Sequence, residues 1–564
     1  MIKGQIKNLM KKIAEIDDFS VETPEEKAHG DYATNVALIL AKKQGKNPIE
    51  IAEKLKTQIS NLETASDLFQ KIEIAGPGFI NFFLKPEFLI RQIKNIVKED
   101  KNFGRQNIGK NKTVIIDYSS PNIAKPMHVG HLRSTFIGQA IYNIYKFLGY
   151  KVIGDNHLGD WGTQFGIMIA GCKKFRSDLK DITIGEMLDI YIRFNKEIEK
   201  NPDLQEKAKE EFKKLEDGDK ENRKIWAILK EKSLKDFEKI YKILGVKFDL
   251  ILGESFYDKY LKEEIANALK IKKAIKNPDN SVIIPLDKFN PVPFLIQKSD
   301  GATVYGTRDL VTIRYRVKKF KPAEIIYVIG NEQSFYLEQL FHSAEILNYI
   351  SYSQLYHMKF GLVLDENRQK LSTRAGRVID AKELIDKAIG LAEKIIKEKN
   401  PKLSEKERKQ AAQIIGVGAL KYNDLSQNRQ SDIVFDWQKM LSFEGNSGPY
   451  LQYSYVRLRS ILRKAGKLNK FHPQFLKEKE EIEIIKELVK FPEIVQEAGE
   501  KFQINFLANY LYNLAGLINA FYEKFPVLKA EKGVKEARLA LIKVATIVLR
   551  NGLNLLGIEV LEKM

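Results

Sequence analysis

KTVIIDYSSPNIAKPMHVGHLRST, residues 112–135, decides the fold. It opens on an apolar β-branched run, Val114-Ile115-Ile116, that reads as a buried strand. A polar turn follows at Ser119-Ser120-Pro121-Asn122, then a second break at Pro126. His128-Val129-Gly130-His131 opens an amphipathic helical segment that reaches about Leu148. The order is strand, loop, helix start. A helix N-terminus offers free N–H groups and the positive end of its dipole, a natural seat for phosphate. Histidines at i and i+3 share a face there and can donate to one phosphate chain. Gly130 between them leaves room for a flat group to approach the backbone. The same two histidines would also serve as plain helix caps, and the four residues alone leave both readings open.

With 564 residues the chain is too long for one ordinary core, so about three domains are expected. An apolar content of 44% and an aromatic content of 10% belong to a folded globular protein. The net charge of +19 predicts a polyanionic partner, nucleic acid before membrane, although a generally lysine-rich proteome would give the same surplus. Cys172 is the only cysteine, which excludes intrachain disulfides and cysteine-based zinc sites. The first residues, MIKGQIKNLMKKIAEIDDF, are amphipathic and broken by charges, and no later run is apolar enough to cross a bilayer. A cytoplasmic protein is expected.

Residues 1–108 read as a small α/β domain, with helical patterns over 2–16, 33–43 and 47–60. Strands are expected at Gln70–Ile74 and Phe79–Leu84, around the turn Gly76-Pro77-Gly78. Beyond the opening stretch, a strand at Lys151–Gly154 leads into DNHLGDWGTQFG, residues 155–166. So many glycines mixed with His, Asp, Trp and Gln suit a ligand-bearing loop beyond a strand end. Residues 172–245 are charge-dense and helical, and an inserted hairpin without chemistry is expected. Val304–Asp309 then precedes a helix, and Ile325–Ile329 leads into Gly330-Asn331-Glu332-Gln333. From about 410 the chain reads as helical throughout, and the helix opened by residues 445–453 carries Arg457, Arg459 and Arg463. Tyrosines interleaved with arginines suit neutralisation of a nucleic-acid backbone with base stacking, while core packing is the alternative for each aromatic.

Residues 121–135 as a whole resemble the HIGH region of class I aminoacyl-tRNA synthetases, in the form found in arginyl-tRNA synthetases. The resemblance extends over nearly the whole chain. His29-Gly30-Asp31-Tyr32-Ala33-Thr34-Asn35 is similar to that family's N-terminal add-on domain, which implies contact with the tRNA elbow; a tight turn capping a helix is the local alternative. Residues 155–166 and the Tyr305 to Asp309 string resemble the family's adenylate and substrate pockets, and Gln333 falls at its pocket glutamine. Tyr336 stands where the family often has a histidine. Gln369-Lys370-Leu371-Ser372-Thr373 is a degenerate KMSKS that keeps the first lysine and has Thr373 at the second. Family members with this loss carry a lysine just ahead of HIGH, which Lys125 matches. Tyr510–Ala515 and Leu555–Ile558 resemble the family's anticodon-binding bundle.

The fold implied is multidomain α/β: an N-terminal α/β add-on domain over 1–108, a Rossmann-like parallel-sheet catalytic domain over 109–440 with a helical insertion at about 172–285, and an all-α anticodon-binding bundle over 441–564. The activity implied is two-step ligation of L-arginine to tRNA(Arg) through an arginyl-adenylate, with ATP and Mg²⁺ entering as a substrate complex. No tightly bound cofactor and no metal site of the chain's own are expected, and a monomer is. In-line displacement at phosphorus needs positioning and positive charge, the work implied for Lys125, His128, His131 and Lys370, with Gly130 and Ser372 also on the ATP. A guanidinium calls for carboxylates and amide oxygens in fixed positions. Asp117, Ser120, Asn122, His131, Tyr305, Asp309 and Gln333 are the expected arginine set, and Arg457, Arg459 and Tyr510 the expected tRNA contacts. A class I synthetase for another amino acid and a non-catalytic RNA-binding paralogue are the competing readings.

Overall fold

The computed structural model describes residues 1–176, 178–289, 292–365, 367–369, 379–466 and 472–563. Lys370, Ser372 and Thr373, expected at the second phosphate element, lie outside these residues. The chain divides into two compact units.

One unit gathers residues 1–106, 450–554 and 559–564. Strands β1 (Val21–Glu22), β2 (Tyr32–Thr34), β3 (Phe69–Ala75) and β4 (Phe79–Leu84) form an antiparallel sheet in the order β1-β2-β4-β3. The 29–35 motif lies at its heart. Asp31 accepts the Leu84 N–H at 2.8 Å and pairs with Lys486 at 2.8 Å, and buried Tyr32 donates to Glu493 at 2.9 Å. These residues pin the sheet to the helix Lys479–Glu500, so Asp31 and Tyr32 act as an anchor within the unit. The helix Ile504–Lys524 buries Leu507, Leu511, Leu514, Ile518 and Phe521, the 3-and-4 spacing of a core-facing stripe. Tyr510 belongs to the same core.

The other unit holds residues 107–449 and 555–558. Its spine starts with β5 (Thr113–Asp117) and β6 (Lys151–Asp155), paired in parallel. Val114, Ile115 and Ile116 are all fully buried, as expected of a strand covered on both faces. An excursion follows: the helices Ile184–Lys200, Asp203–Glu216 and Lys220–Leu244, and then a small antiparallel sheet of β7 (Ile275–Lys276), β8 (Val282–Ile284) and β9 (Phe294–Gln297). The chain then returns with β10 (Glu324–Tyr327) and β11 (Leu355–His357), both parallel, to give the order β11-β10-β5-β6. Direction reverses between β5 and β10, and at such a switch point the loops beyond the strand ends part to leave a crevice. A short parallel pair, β12 (Val363–Leu364) with β13 (Ile433–Val434), and the packed helices Ala381–Lys399 and Glu405–Leu425 complete the unit.

Candidate active site

The helix Val129–Phe147 starts at the crevice, and its two histidines cap each other's turn. His128 Nδ1 accepts the Gly130 N–H at 3.1 Å, and His131 Nδ1 accepts the His128 N–H at 3.1 Å. With its Nδ1 accepting, the His131 ring carries its proton on Nε2. Burial, aided by the neighbouring His128, pushes the His131 pKa down to about 3. The capping and phosphate readings of this motif are compatible, since Nδ1 caps the helix and the His131 Nε2–H lies on the other side of its ring. A Cβ on Gly130 would lie 3.0 Å from the His128 ring, close enough that the ring would have to shift by a few tenths of an ångström to admit it.

The loop between β5 and this helix is strained. Ser119, Ser120 and Ala124 have φ of 73°, 45° and 61°, a region that costs a non-glycine residue about 1–3 kcal/mol. Surrounding side chains hold it. The Ser119 N–H donates to Ser134 Oγ at 2.9 Å, the Ser120 N–H to Asn156 Oδ1 at 3.1 Å, and the Ala124 N–H to Ser233 Oγ at 2.8 Å. The Tyr241 hydroxyl lies 2.8 Å from Ser119 Oγ and accepts from Asn156 at 3.1 Å. Ser233 and Tyr241 stand on the Lys220–Leu244 helix, which also sends Trp226 to the Asp160 carbonyl at 2.8 Å and Lys230 to its carboxylate at 2.6 Å. The insertion expected to be inert buttresses the loops of the crevice. A glycine is required opposite Asn122: a Cβ at Gly159 would fall 1.9 Å from Asn122 Oδ1.

The crevice is a cavity of about 530 Å³. Of the residues expected from sequence, it brings together Ser120, Asn122, His128, Gly130, His131, Tyr305, Asp309 and Gln333. Asp117 does not line the cavity; its carboxylate accepts from Arg316 at 2.6 Å and from Ser120 Oγ at 2.9 Å. Arg316 also pairs with Asp155 at 2.8 Å, so the chain's own guanidinium occupies the charge intended for a substrate. Lys125 does not line the cavity either, and its ammonium sits 4.2 Å from the centre of the Tyr191 ring.

Three residues absent from the expected set also line the cavity: His157, Glu254 and Tyr336. Tyr336 donates its hydroxyl to Asp309, and His157 Nε2 lies 4.0 Å from the same carboxylate. Burial raises the Asp309 pKa, opposed by His157 and by the Tyr336 hydrogen bond. Burial pushes Glu254 up to about 7, opposed by the Arg308 guanidinium 3.0 Å away. The cavity thus gathers a neutral imidazole at a helix start and two desolvated carboxylates. A molecule that carries a cation and meets a phosphate matches that lining.

The expected tRNA residues diverge. Arg457 lies over the Tyr522 ring at 4.4 Å, and Arg459 pairs with Glu562 at 2.6 Å. Tyr510 is 7% exposed and donates to the Glu487 carbonyl at 2.8 Å, so its ring is core and offers no face to a base.

Comparison with known proteins agrees along the whole chain. The family tRNA synthetases class I (R), catalytic domain, matches residues 92–437; the DALR anticodon binding domain matches 451–564; and the arginyl tRNA synthetase N terminal domain matches 1–84. An arginine–tRNA ligase of Fusobacterium nucleatum is 43% identical over 541 residues, 95% of this chain and 93% of its own length. One from Clostridium botulinum is 41% identical over 549 residues, 96% of each chain. The crystal structure of arginyl-tRNA synthetase from Plasmodium falciparum superposes with a TM-score of 0.84 at 28% identity, covering 100% of this chain and 99% of that one.

Proposed function

The chain belongs to the arginyl-tRNA synthetases, a class I aminoacyl-tRNA synthetase family, and on that footing we propose how its residues divide the work. The reaction is ATP-dependent arginine–tRNA ligation. A carboxylate oxygen of arginine bonds to the α-phosphorus of ATP, the bond to the bridging oxygen breaks, and pyrophosphate leaves. A terminal ribose hydroxyl of tRNA then attacks the adenylate carbonyl, and AMP departs.

Arginine lies with its guanidinium between Asp309 and Glu254, near the Tyr305 and Tyr336 rings, and its carboxylate toward the HIGH helix. Asn122, Gln333 and Ser120 take its remaining polar atoms. His128 and His131 donate Nε2–H to the phosphates without adding charge, and Gly130 leaves the backbone accessible beside them. Charge on the leaving pyrophosphate then falls to Lys125 and Lys370, with Ser372 nearby and Mg²⁺ carried in on ATP. The observation that supports this division is the cavity's lining, the two HIGH histidines together with two desolvated carboxylates. Asp117, held by Arg316, keeps the Tyr305–Phe320 helix, and with it Asp309, seated on the sheet. Residues 1–108 serve the tRNA elbow, 109–440 the chemistry, and 441–564 the anticodon, where Arg457 and Arg459 meet backbone phosphates. The enzyme works as a cytoplasmic monomer, which sedimentation with and without tRNA checks.

Asp309→Asn tests the arrangement. Removing one charge of a desolvated pair costs about 3–5 kcal/mol, so the arginine KM should rise steeply while the ATP KM holds. An arginine KM equal to the parent's removes Asp309 from the pocket.

A further inference from the structure

Lys125 stands in a loop bounded by Pro121 and Pro126, three residues ahead of the first HIGH histidine, yet it does not line the cavity those histidines line. Among the described residues no carboxylate lies within 4.0 Å of it. Its partner is an aromatic face: Tyr191, on the inserted helix Ile184–Lys200, at 4.2 Å from Nζ to ring centre. Both residues are half-buried. A ring face holds an ammonium without pairing its charge, more weakly than a phosphate would through charge-assisted hydrogen bonds. A lysine so held stays out of the cavity and can leave the ring when a stronger anion arrives.

We propose that Tyr191 is a positioning residue that keeps Lys125 outside the cavity until the triphosphate of ATP draws the ammonium in. This rests on the reading that Lys125 serves the phosphates. It gives the inserted helix a part in the reaction besides the buttressing supplied by its neighbour at 220–244. Since the ring must be abandoned when ATP binds, the seat opposes ATP binding and leaves the later chemistry alone.

The test is ATP–pyrophosphate exchange by the full chain, with arginine and a tRNA(Arg) transcript. Tyr191→Leu and Tyr191→Phe would be compared, each alone and combined with Lys125→Ala. Tyr191→Leu should lower the ATP KM by about 2- to 30-fold, the span of one such contact, with kcat and the arginine KM unchanged. Tyr191→Phe, which keeps the ring, should match the parent, and in the Lys125→Ala background the leucine should do nothing. An ATP KM unchanged or raised in Tyr191→Leu overturns the proposal, as does the same drop in the absence of Lys125. Carbon-13 labelling of lysine separates the two layers. The Lys125 ε-methylene should be shifted upfield by the ring, lose that shift in Tyr191→Leu, and lose it in the parent on addition of a non-hydrolysable ATP analogue. A shift that the leucine abolishes and the analogue leaves in place counts against Lys125 serving the phosphates. A shift missing from the parent overturns the seat itself.

Discussion

His131 is held neutral by burial and by the backbone N–H it accepts, and this sets the demand on the other residues of the site. On the proposed division of work, charge building on pyrophosphate falls to lysine beside the Mg²⁺ of the ATP. Lys125→Ala should therefore slow adenylate formation by about 10²-fold or more, the scale for losing one transition-state donor. Adding Thr373→Lys should recover part of the rate in single-turnover measurements; a Lys125→Ala enzyme at the parent rate places the charge elsewhere. Glu254 has its pKa raised from 4.5 to about 7. A carboxyl raised in the folded state contributes stability that is present below its unfolded pKa and lost as pH rises through the folded one. Ligand-free protein should lose stability between about pH 4.5 and 7 on this account, and a bound guanidinium, which favours the ionised form, should restore it. The gain in Tm from arginine should grow as pH rises through about 7, and Glu254→Gln should flatten that growth. A parent whose arginine-dependent gain is level across this window has Glu254 facing away from the guanidinium. Residue types near a motif were legible in the sequence: the histidines, Asn122, Tyr305 and Asp309 all reach the cavity. The ion pair of Asp117 was not legible, because its partner Arg316 lies 199 residues away, beyond any local pattern. Glu254 and His157 were missed because their meaning depends on convergence with Asp309, which spacing does not encode.

At the scale of elements, β5 and the helix after it were readable because a β-branched run, a polar turn and a capped amphipathic segment are local signals. The role of the insertion was not. Its charge pattern describes only the solvated face, whereas Trp226, Lys230, Ser233 and Tyr241 act on the side that meets the loops. Tyr241→Phe removes the hydroxyl shared by Ser119 and Asn156. It should cost about 1–3 kcal/mol in urea unfolding and raise the arginine KM, through relaxation of the strained loop, more than a stability loss of that size alone would. If the variant unfolds earlier with unaltered kinetics, the insertion supports the fold and not the site. Gly159→Ala, with its new methyl in the space of Asn122 Oδ1, should show the converse, a kinetic defect larger than the stability change. Equal defects in both would mean that Asn122 contributes only packing.

Over the whole molecule, the net charge of +19 announced a polyanionic partner but not where it would bind. Tyr510, expected at the tRNA from the resemblance of 510–515 to the anticodon-binding bundle, is buried, since helix periodicity assigns a stripe to the core without saying which tyrosine belongs to it. Arg459 is tied to Glu562, while Arg457 rests on a ring and keeps its charge unpaired by that contact. Affinity for tRNA should fall log-linearly with salt, and Arg457→Ala should make the slope shallower by about one, the share of a single neutralised phosphate, with Arg459→Ala doing less. A slope indifferent to Arg457 puts the tRNA on another face. Selection of a guanidinium by the carboxylates of the cavity is read out by amino-acid-dependent ATP–pyrophosphate exchange in the presence of tRNA(Arg). Arginine should support exchange, and lysine should fall short by a factor on the order of 10⁴, because it leaves buried acceptors unpaired. Exchange supported equally by lysine or another amino acid, or none with arginine, would contradict the account.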